Sequence, residues 1–269
     1  MRPVVAAAAL AVAFAAASSA QAQWAKRVDA SFPRTADGEP DLSAPAPKTA
    51  DEKPDLSGVW IPDIDPTMNI VSVEHIPFPK YFISIAADMK PEDVPFQPWA
   101  ADLFRQRTEG SPAEIPVAHC KPTGVPWINS VPLPYKIVQT PSLVLILYEE
   151  NTVFRQIFLD GRRPVENPVP RWMGYSTGRW EGDTLVVETV GFNDRHWLDG
   201  MGHPNSSELR VIERFRRPNA GHLEIEITID DPAAYTRPIT YKPTLTLLPE
   251  DDLLEYFCTE NEKSSEHYR

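Results

Sequence analysis

Nine side chains able to do chemistry crowd into sixteen residues, 193–208: Asp194, Arg195, His196, Trp197, Asp199, His203, Ser206, Ser207 and Glu208. Loops held by a rigid scaffold are where binding and catalytic groups concentrate. An imidazole titrates near neutral pH and a carboxylate can fix its tautomer, so His196, Asp199 and His203 read as an acid–base set. Imidazole and carboxylate are also ordinary metal ligands. The spacing matches no established metal motif, however, and no metal is assigned. Ser206 or Ser207 could serve as a nucleophile, but no Gly-x-Ser-x-Gly elbow presents either one. The competing account is a loop stapled by its own hydrogen bonds and salt bridges.

A second signal is charge where apolar residues belong. Glu213 shares a strand face with Leu209, Val211 and Phe215, and Arg155 shares one with Val153 and Ile157. Bare burial of a charge is costly, so such groups must be paired, hydrogen-bonded or neutral. Two arrangements follow: a buried Arg155–Glu213 ion pair, or a ligand-lined cavity in which Glu213 is a base and Arg155 anchors an oxygen. Glu188, flanked by Val186 and Val190, is a third inner-face candidate. The resulting catalytic set is His196, Asp199, His203 and Glu213. Arg155, Tyr175, Glu188 and Trp197 are the ligand-binding set, with His119 as a further neighbour. Nothing Gly-rich suits a phosphate or dinucleotide, because Gly182-Asp183 sits between two strands and opens no helix; no cofactor is expected.

The elements that must position these groups are mostly strands. Runs over 135–140, 143–149, 153–159, 173–180, 184–192, 208–217, 222–229, 237–247 and 253–258 carry strand texture, and most are bounded by turn residues. In 222–229 the alternation is clean, with Leu223, Ile225, Ile227 and Ile229 on one face. Residues 61–134 are Pro-rich, which denies long regular elements. They read as a lid or wrapping segment with one helix over 98–108. Nine or so antiparallel strands are expected to close, since closure removes exposed edges. The predicted fold is an all-β, closed or nearly closed barrel, with a β-sandwich as the alternative.

Val4 to Ala17 is an unbroken apolar run after Arg2, followed by Ala20-Gln21-Ala22. This reads as a secretory signal cut after Ala22, because the run is shorter than the ~20 residues of a membrane span. Residues 23–54 read as a disordered Pro/Ala-rich linker containing a short echo: Gly38-Glu39-Pro40-Asp41-Leu42-Ser43 and Glu52-Lys53-Pro54-Asp55-Leu56-Ser57. Residues 55–269 form a single domain. Cys120 and Cys258 pair most simply as a disulfide in a periplasmic or secreted protein. The formal charge of -12 argues against nucleic acid and anionic lipid as partners.

Two stretches carry a resemblance. Pro170-Arg171-Trp172-Met173-Gly174-Tyr175-Ser176-Thr177-Gly178-Arg179-Trp180-Glu181-Gly182-Asp183-Thr184-Leu185-Val186-Val187-Glu188-Thr189, and His196-Trp197-Leu198-Asp199-Gly200 running on through His203-Pro204 to Glu213-Arg214-Phe215, resemble a large group of uncharacterised exported bacterial proteins. The likeness takes in Ala118-His119-Cys120 and the Cys258 end. Ser57-Gly58-Val59-Trp60 is also similar to the Gly-x-Trp that opens a lipocalin barrel, as is Gly178-Arg179-Trp180. That likeness implies an apolar ligand in the barrel mouth. The functional expectation is a barrel that binds a small neutral or apolar molecule, with or without metal-free acid–base turnover (hydrolysis, elimination or isomerisation). The alternatives are a non-catalytic lipocalin-like carrier and a structural or interaction protein.

Overall fold

The computed structural model describes residues 31–64, 78–111 and 114–258. The signal segment, the start of the linker and the last residues lie outside them. Ten strands make one sheet: β1 (Gly58–Pro62), β2 (Tyr135–Gln139), β3 (Leu143–Tyr148), β4 (Phe154–Phe158), β5 (Tyr175–Glu181), β6 (Thr184–Val190), β7 (Arg210–Asn219), β8 (His222–Asp230), β9 (Ile239–Tyr241) and β10 (Thr244–Leu247). Neighbours run in the order β10-β1-β2-β3-β4-β5-β6-β7-β8-β9, and β10 pairs with β8 as well as β1. That last pairing closes a nine-stranded barrel, with β9 on the same edge of β8.

Each pair is antiparallel except one. β4 and β5 run parallel, and only Ile157↔Ser176 and Phe158↔Thr177 pair across them. Two expected strands change. The run over 237–247 is broken at Lys242-Pro243, where proline has no N–H for the ladder. The run over 253–258 forms no strand at all. β8 already pairs with β7, β9 and β10, and β1 with β10 and β2, so closure leaves no edge for another strand there.

The alternation set the inner face as expected: Leu223, Ile225, Ile227 and Ile229 are all fully buried. Trp60 is buried too, its indole N–H donating to the Leu56 carbonyl at 2.9 Å while the Arg217 guanidinium covers its ring at 4.9 Å from the centroid. Strand directions place the long connections 63–134, 149–153, 191–209 and 231–238 at one end of the barrel. The Pro-rich connection carries a one-turn helix, α1 (Lys80–Ile83), and the expected helix, α2 (Pro98–Glu109). From it, Trp127–Ser130 forms a buried single turn, and Val125 and Ile128 join the barrel core. The buried turn thus packs side chains into this end of the barrel.

Residues 31–54 are not a disordered linker. The echo folds twice into the same turn: Thr35 N–H donates to Glu39 O and Asp41 N–H to Pro33 O, and fourteen residues on Thr49 donates to Lys53 and Asp55 to Pro47. Gly38 and Glu52 take the left-handed φ (+85° and +61°) that the turn demands. The first copy docks on the β7–β8 tip, where Ala220 and Gly221 donate to the carbonyls of Ala44 and Leu42, both at 2.8 Å. The second copy inserts Leu56 into the core. Local side-chain and backbone bonds thus order a segment whose composition alone suggested a coil.

Candidate functional site

Arg155 and Glu213 meet inside the barrel. The guanidinium donates from Nη1 to Glu213 Oε1 at 2.9 Å and from Nη2 to Glu213 Oε2, to Thr189 Oγ1 at 2.8 Å, and from Nε to Ser176 Oγ at 3.0 Å. Asn129, carried in by the buried turn, donates to Glu213 Oε1 at 2.6 Å and accepts from the Tyr148 hydroxyl at 3.1 Å. Burial alone would lower the Arg155 pKa, but Glu213 and Tyr148 outweigh it and hold it above its ordinary value. Burial, with Tyr148 and Glu213 nearby, raises Tyr135 well above the phenol range, so it stays a neutral hydroxyl. Every charge here is matched, and the geometry is that of the ion pair rather than of a free base.

The loop over 193–208 is tied to itself. Asp199 accepts the N–H groups of Ile85 (2.8 Å), Gly202 (2.9 Å) and His203 (3.1 Å). His203 Nδ1 lies 2.5 Å from Asp199 Oδ2 without meeting hydrogen-bond geometry. Its ring packs between Phe104 and Phe96, at 4.5 and 5.4 Å between centroids. His196 is buried, its ring nitrogens 3.0 Å from Asn193 O and 3.2 Å from Val125 O. Trp197 is buried beneath the Arg107 guanidinium. Ser206 Oγ donates to Asp231 at 2.6 Å, which makes it a loop anchor rather than an exposed nucleophile. None of His196, Asp199, His203 or Glu213 lines any of the five principal clefts. Among the described residues, no group of three or more His, Cys, Asp and Glu side chains is placed to hold a metal ion.

Glu188 is on the outer face, not the inner one, 3.4 Å from Arg210. The inward set on β6 is Leu185, Val187 and Thr189. Val186 is buried from outside because its cross-strand neighbours are Arg179 and Arg214, whose aliphatic stems can lie over it. That cover made the wrong face look like core.

His196 gives a pH prediction. Burial pushes its pKa down to about 4, despite the two carbonyls that favour the cation. Between pH 6.5 and 4 the unfolded chain therefore binds a proton that the folded chain does not, and stability falls as pH falls. Glu150, at the β3–β4 turn, does the reverse. Burial pushes it up to about 7, against hydrogen bonds from Thr123 and Asn151, so the folded state holds the extra proton and gains stability as pH falls from 7 towards 4.5. Each effect is worth about 2 kcal/mol between pH 7 and pH 5. Urea midpoints of His196→Gln should therefore rise from pH 7 to 5 relative to the parent, and those of Glu150→Gln should fall. Parallel pH profiles for all three proteins would refute both assignments.

The structure opens elsewhere. Continuing the parallel register would set Gln156 opposite Tyr175 and Arg155 opposite Gly174, but the strands have already splayed. Gly174 has φ +63°, and a Cβ there would meet Thr189 Cγ2 at 2.6 Å and Val190 O at 2.9 Å. Only glycine lets the chain turn away so close to β6. The gap is a groove of about 400 Å³. One wall is Phe154 and Phe158 on the outer face of β4; the other is Trp172, Met173 and Tyr175, and Pro122, Thr152 and Val153 close its loop end. Arg155 and Ser176 also line it, so the groove abuts the interior network. Of the expected ligand residues, Arg155 and Tyr175 fall here, and Glu188 and Trp197 do not.

The groove residues outside the expected catalytic and ligand-binding sets include Phe154, Arg171, Trp172 and Met173. One signal was available: alternation that turns Arg155 and Ile157 inward turns Phe154 and Phe158 outward, and Phe154 is 60% exposed. An outward aromatic beside an irregular Arg-Trp-Met run marks a wet apolar surface. Set against family models, characterised proteins and solved structures, the chain matches none.

Proposed function

We propose that this is an exported binding protein that holds a small apolar molecule in the β4–β5 groove, on the wall of the barrel rather than in its mouth. The observation that carries the reading is the groove itself: a concave, largely apolar site fixed by a glycine-directed splay in an otherwise continuous sheet. Acid–base turnover is not part of the proposal, because His196, Asp199 and His203 are committed to packing and backbone contacts away from the groove and Glu213 is held in its ion pair with Arg155. Export and signal cleavage after Ala22 fit the Cys120–Cys258 disulfide, which belongs to an oxidising compartment. They also fit the finding that no helix among the described residues is long and apolar enough to cross a membrane.

The test is titration of the neutral fluorophore 1-pyrenebutanol into the mature protein. Saturable one-to-one binding is expected. Phe154→Ala should weaken it five- to tenfold, since removing an aromatic contact is worth about 1–1.5 kcal/mol. It should leave the urea midpoint nearly unchanged, because the side chain is exposed. Binding indifferent to Phe154→Ala and to Met173→Arg would put the ligand elsewhere. No binding at all would favour an interaction role.

A further inference from the structure

We infer that the ligand of this groove carries an anionic group, a carboxylate or sulfonate on an apolar body, and that Arg171 is its anchor. The inference rests on the groove being a binding site and adds the chemistry of what it binds. The chain has 38 acidic residues against 26 Lys and Arg, yet none of the groove's thirteen lining residues is Asp or Glu. Two are arginines. In a protein this acidic, a cleft lined by no carboxylate and by a guanidinium that is not ion-paired is a place where an anion meets attraction rather than repulsion.

The two arginines are not equivalent. Arg155 turns inward, where Glu213 neutralises it. Arg171 is exposed, and its guanidinium has no ion-pair or hydrogen-bond partner among the described residues. Its backbone is nevertheless fixed. The Arg171 N–H donates to Gly191 O and its carbonyl accepts from Asn193 N–H, both at 3.0 Å, and this bridges it to the end of β6. A long cation on a pinned main chain is partly preorganised for a bidentate partner, which is the arrangement a carboxylate or sulfonate fits. Tyr175 adds a second polar group. Its hydroxyl oxygen accepts from Arg162 Nη1 at 3.3 Å, which leaves its own proton free to donate. Arg162 in turn lies 3.8 Å over the Phe158 ring and is ion-paired with Asp160, so it fixes the Tyr175 hydroxyl without adding net charge to the rim. Apolar walls, an unpaired guanidinium and a phenol donor describe an amphipathic anion better than a neutral hydrocarbon.

The experiment compares two probes of one skeleton, 1-pyrenebutyrate and 1-pyrenebutanol, by fluorescence titration at pH 7 in low salt. The acid is expected to bind about tenfold tighter than the alcohol, as one exposed charge-assisted contact allows. Raising the salt should narrow the difference. In Arg171→Gln the two should come within about twofold of each other, the acid losing far more affinity than the alcohol. Equal affinities in the parent protein would overturn the anionic inference while leaving the groove as a neutral apolar site. A preference that survives Arg171→Gln intact would overturn Arg171 as the anchor. Failure of both probes to bind would remove the groove as a binding site and this inference with it.

Discussion

Arg155→Ala is expected to destabilise the protein by about 3–5 kcal/mol, the cost of stranding one partner of a buried ion pair. Both side chains of the pair are essentially inaccessible. Removing the guanidinium leaves the Glu213 carboxylate with a single neutral donor, Asn129, and leaves the Ser176 and Thr189 hydroxyls with only each other. The carboxylate must then take up a proton or admit water, and either route loosens the packing between β4 and β7. The double change Arg155→Met with Glu213→Leu should cost less than the single one despite touching more of the core, because it removes the unmatched charge together with its partner. Some loss should remain, since Asn129 and Tyr148 would keep a polar pair without its acceptor. Urea denaturation of the three variants decides the matter. A single-mutant cost below about 1 kcal/mol would mean that water from the adjacent groove already solvates the pair.

The inward placement of Arg155 and Glu213 was legible because the neighbours two positions away, Val153 and Ile157 for one and Val211 and Phe215 for the other, are all apolar. Glu188 was misplaced for the converse reason: Leu185, Val186 and Val187 make β6 apolar on both faces, so alternation carries no parity there. Buried Val186 owes its cover to arginines on two neighbouring strands, Arg179 and Arg214, and no local window contains all three. Strand existence came from local texture and turn residues. The parallel β4–β5 contact did not, because the connection over 159–174 has no helix of the kind that usually announces a parallel crossover. The groove is a consequence of that contact. Its walls come from the outer face of one strand and an irregular run before the next, so it becomes visible only once the register stops at Ile157 and Phe158. Likewise, the histidine loop advertised chemistry through composition, but Asp199 is consumed by three backbone N–H groups. A carboxylate that caps a turn and one that orients a catalytic imidazole look alike in sequence.

Replacing Cys120 and Cys258 by serine is expected to cost about 2–4 kcal/mol, less than the loop length alone suggests. The bridge spans 138 residues, nearly the whole barrel, and the chain-entropy relation assigns such a loop roughly 5 kcal/mol. That figure assumes a native state equally rigid with and without the link. Here the C-terminal end of the loop is a tail without regular structure. It is held by Leu254 N–H on Glu149 Oε1 at 2.7 Å, by Thr152 Oγ1 on Tyr256 O at 3.1 Å, and by the disulfide itself. Leu254, Tyr256 and Phe257 are each about half exposed, so little apolar burial holds the tail once the link is gone. The released tail regains freedom in the folded state, and that gain offsets part of the freedom regained by the unfolded chain. Limited proteolysis should therefore cut the serine variant after about residue 250 while the barrel still resists, and the urea midpoint should fall by the smaller amount. Thr152 also lines the groove, so the same variant reports on the binding site: pyrene probes should still bind, with affinity changed only as far as that rim relaxes. A full 5 kcal/mol loss with the tail still protected would instead make residues 251–258 an integral part of the folded core.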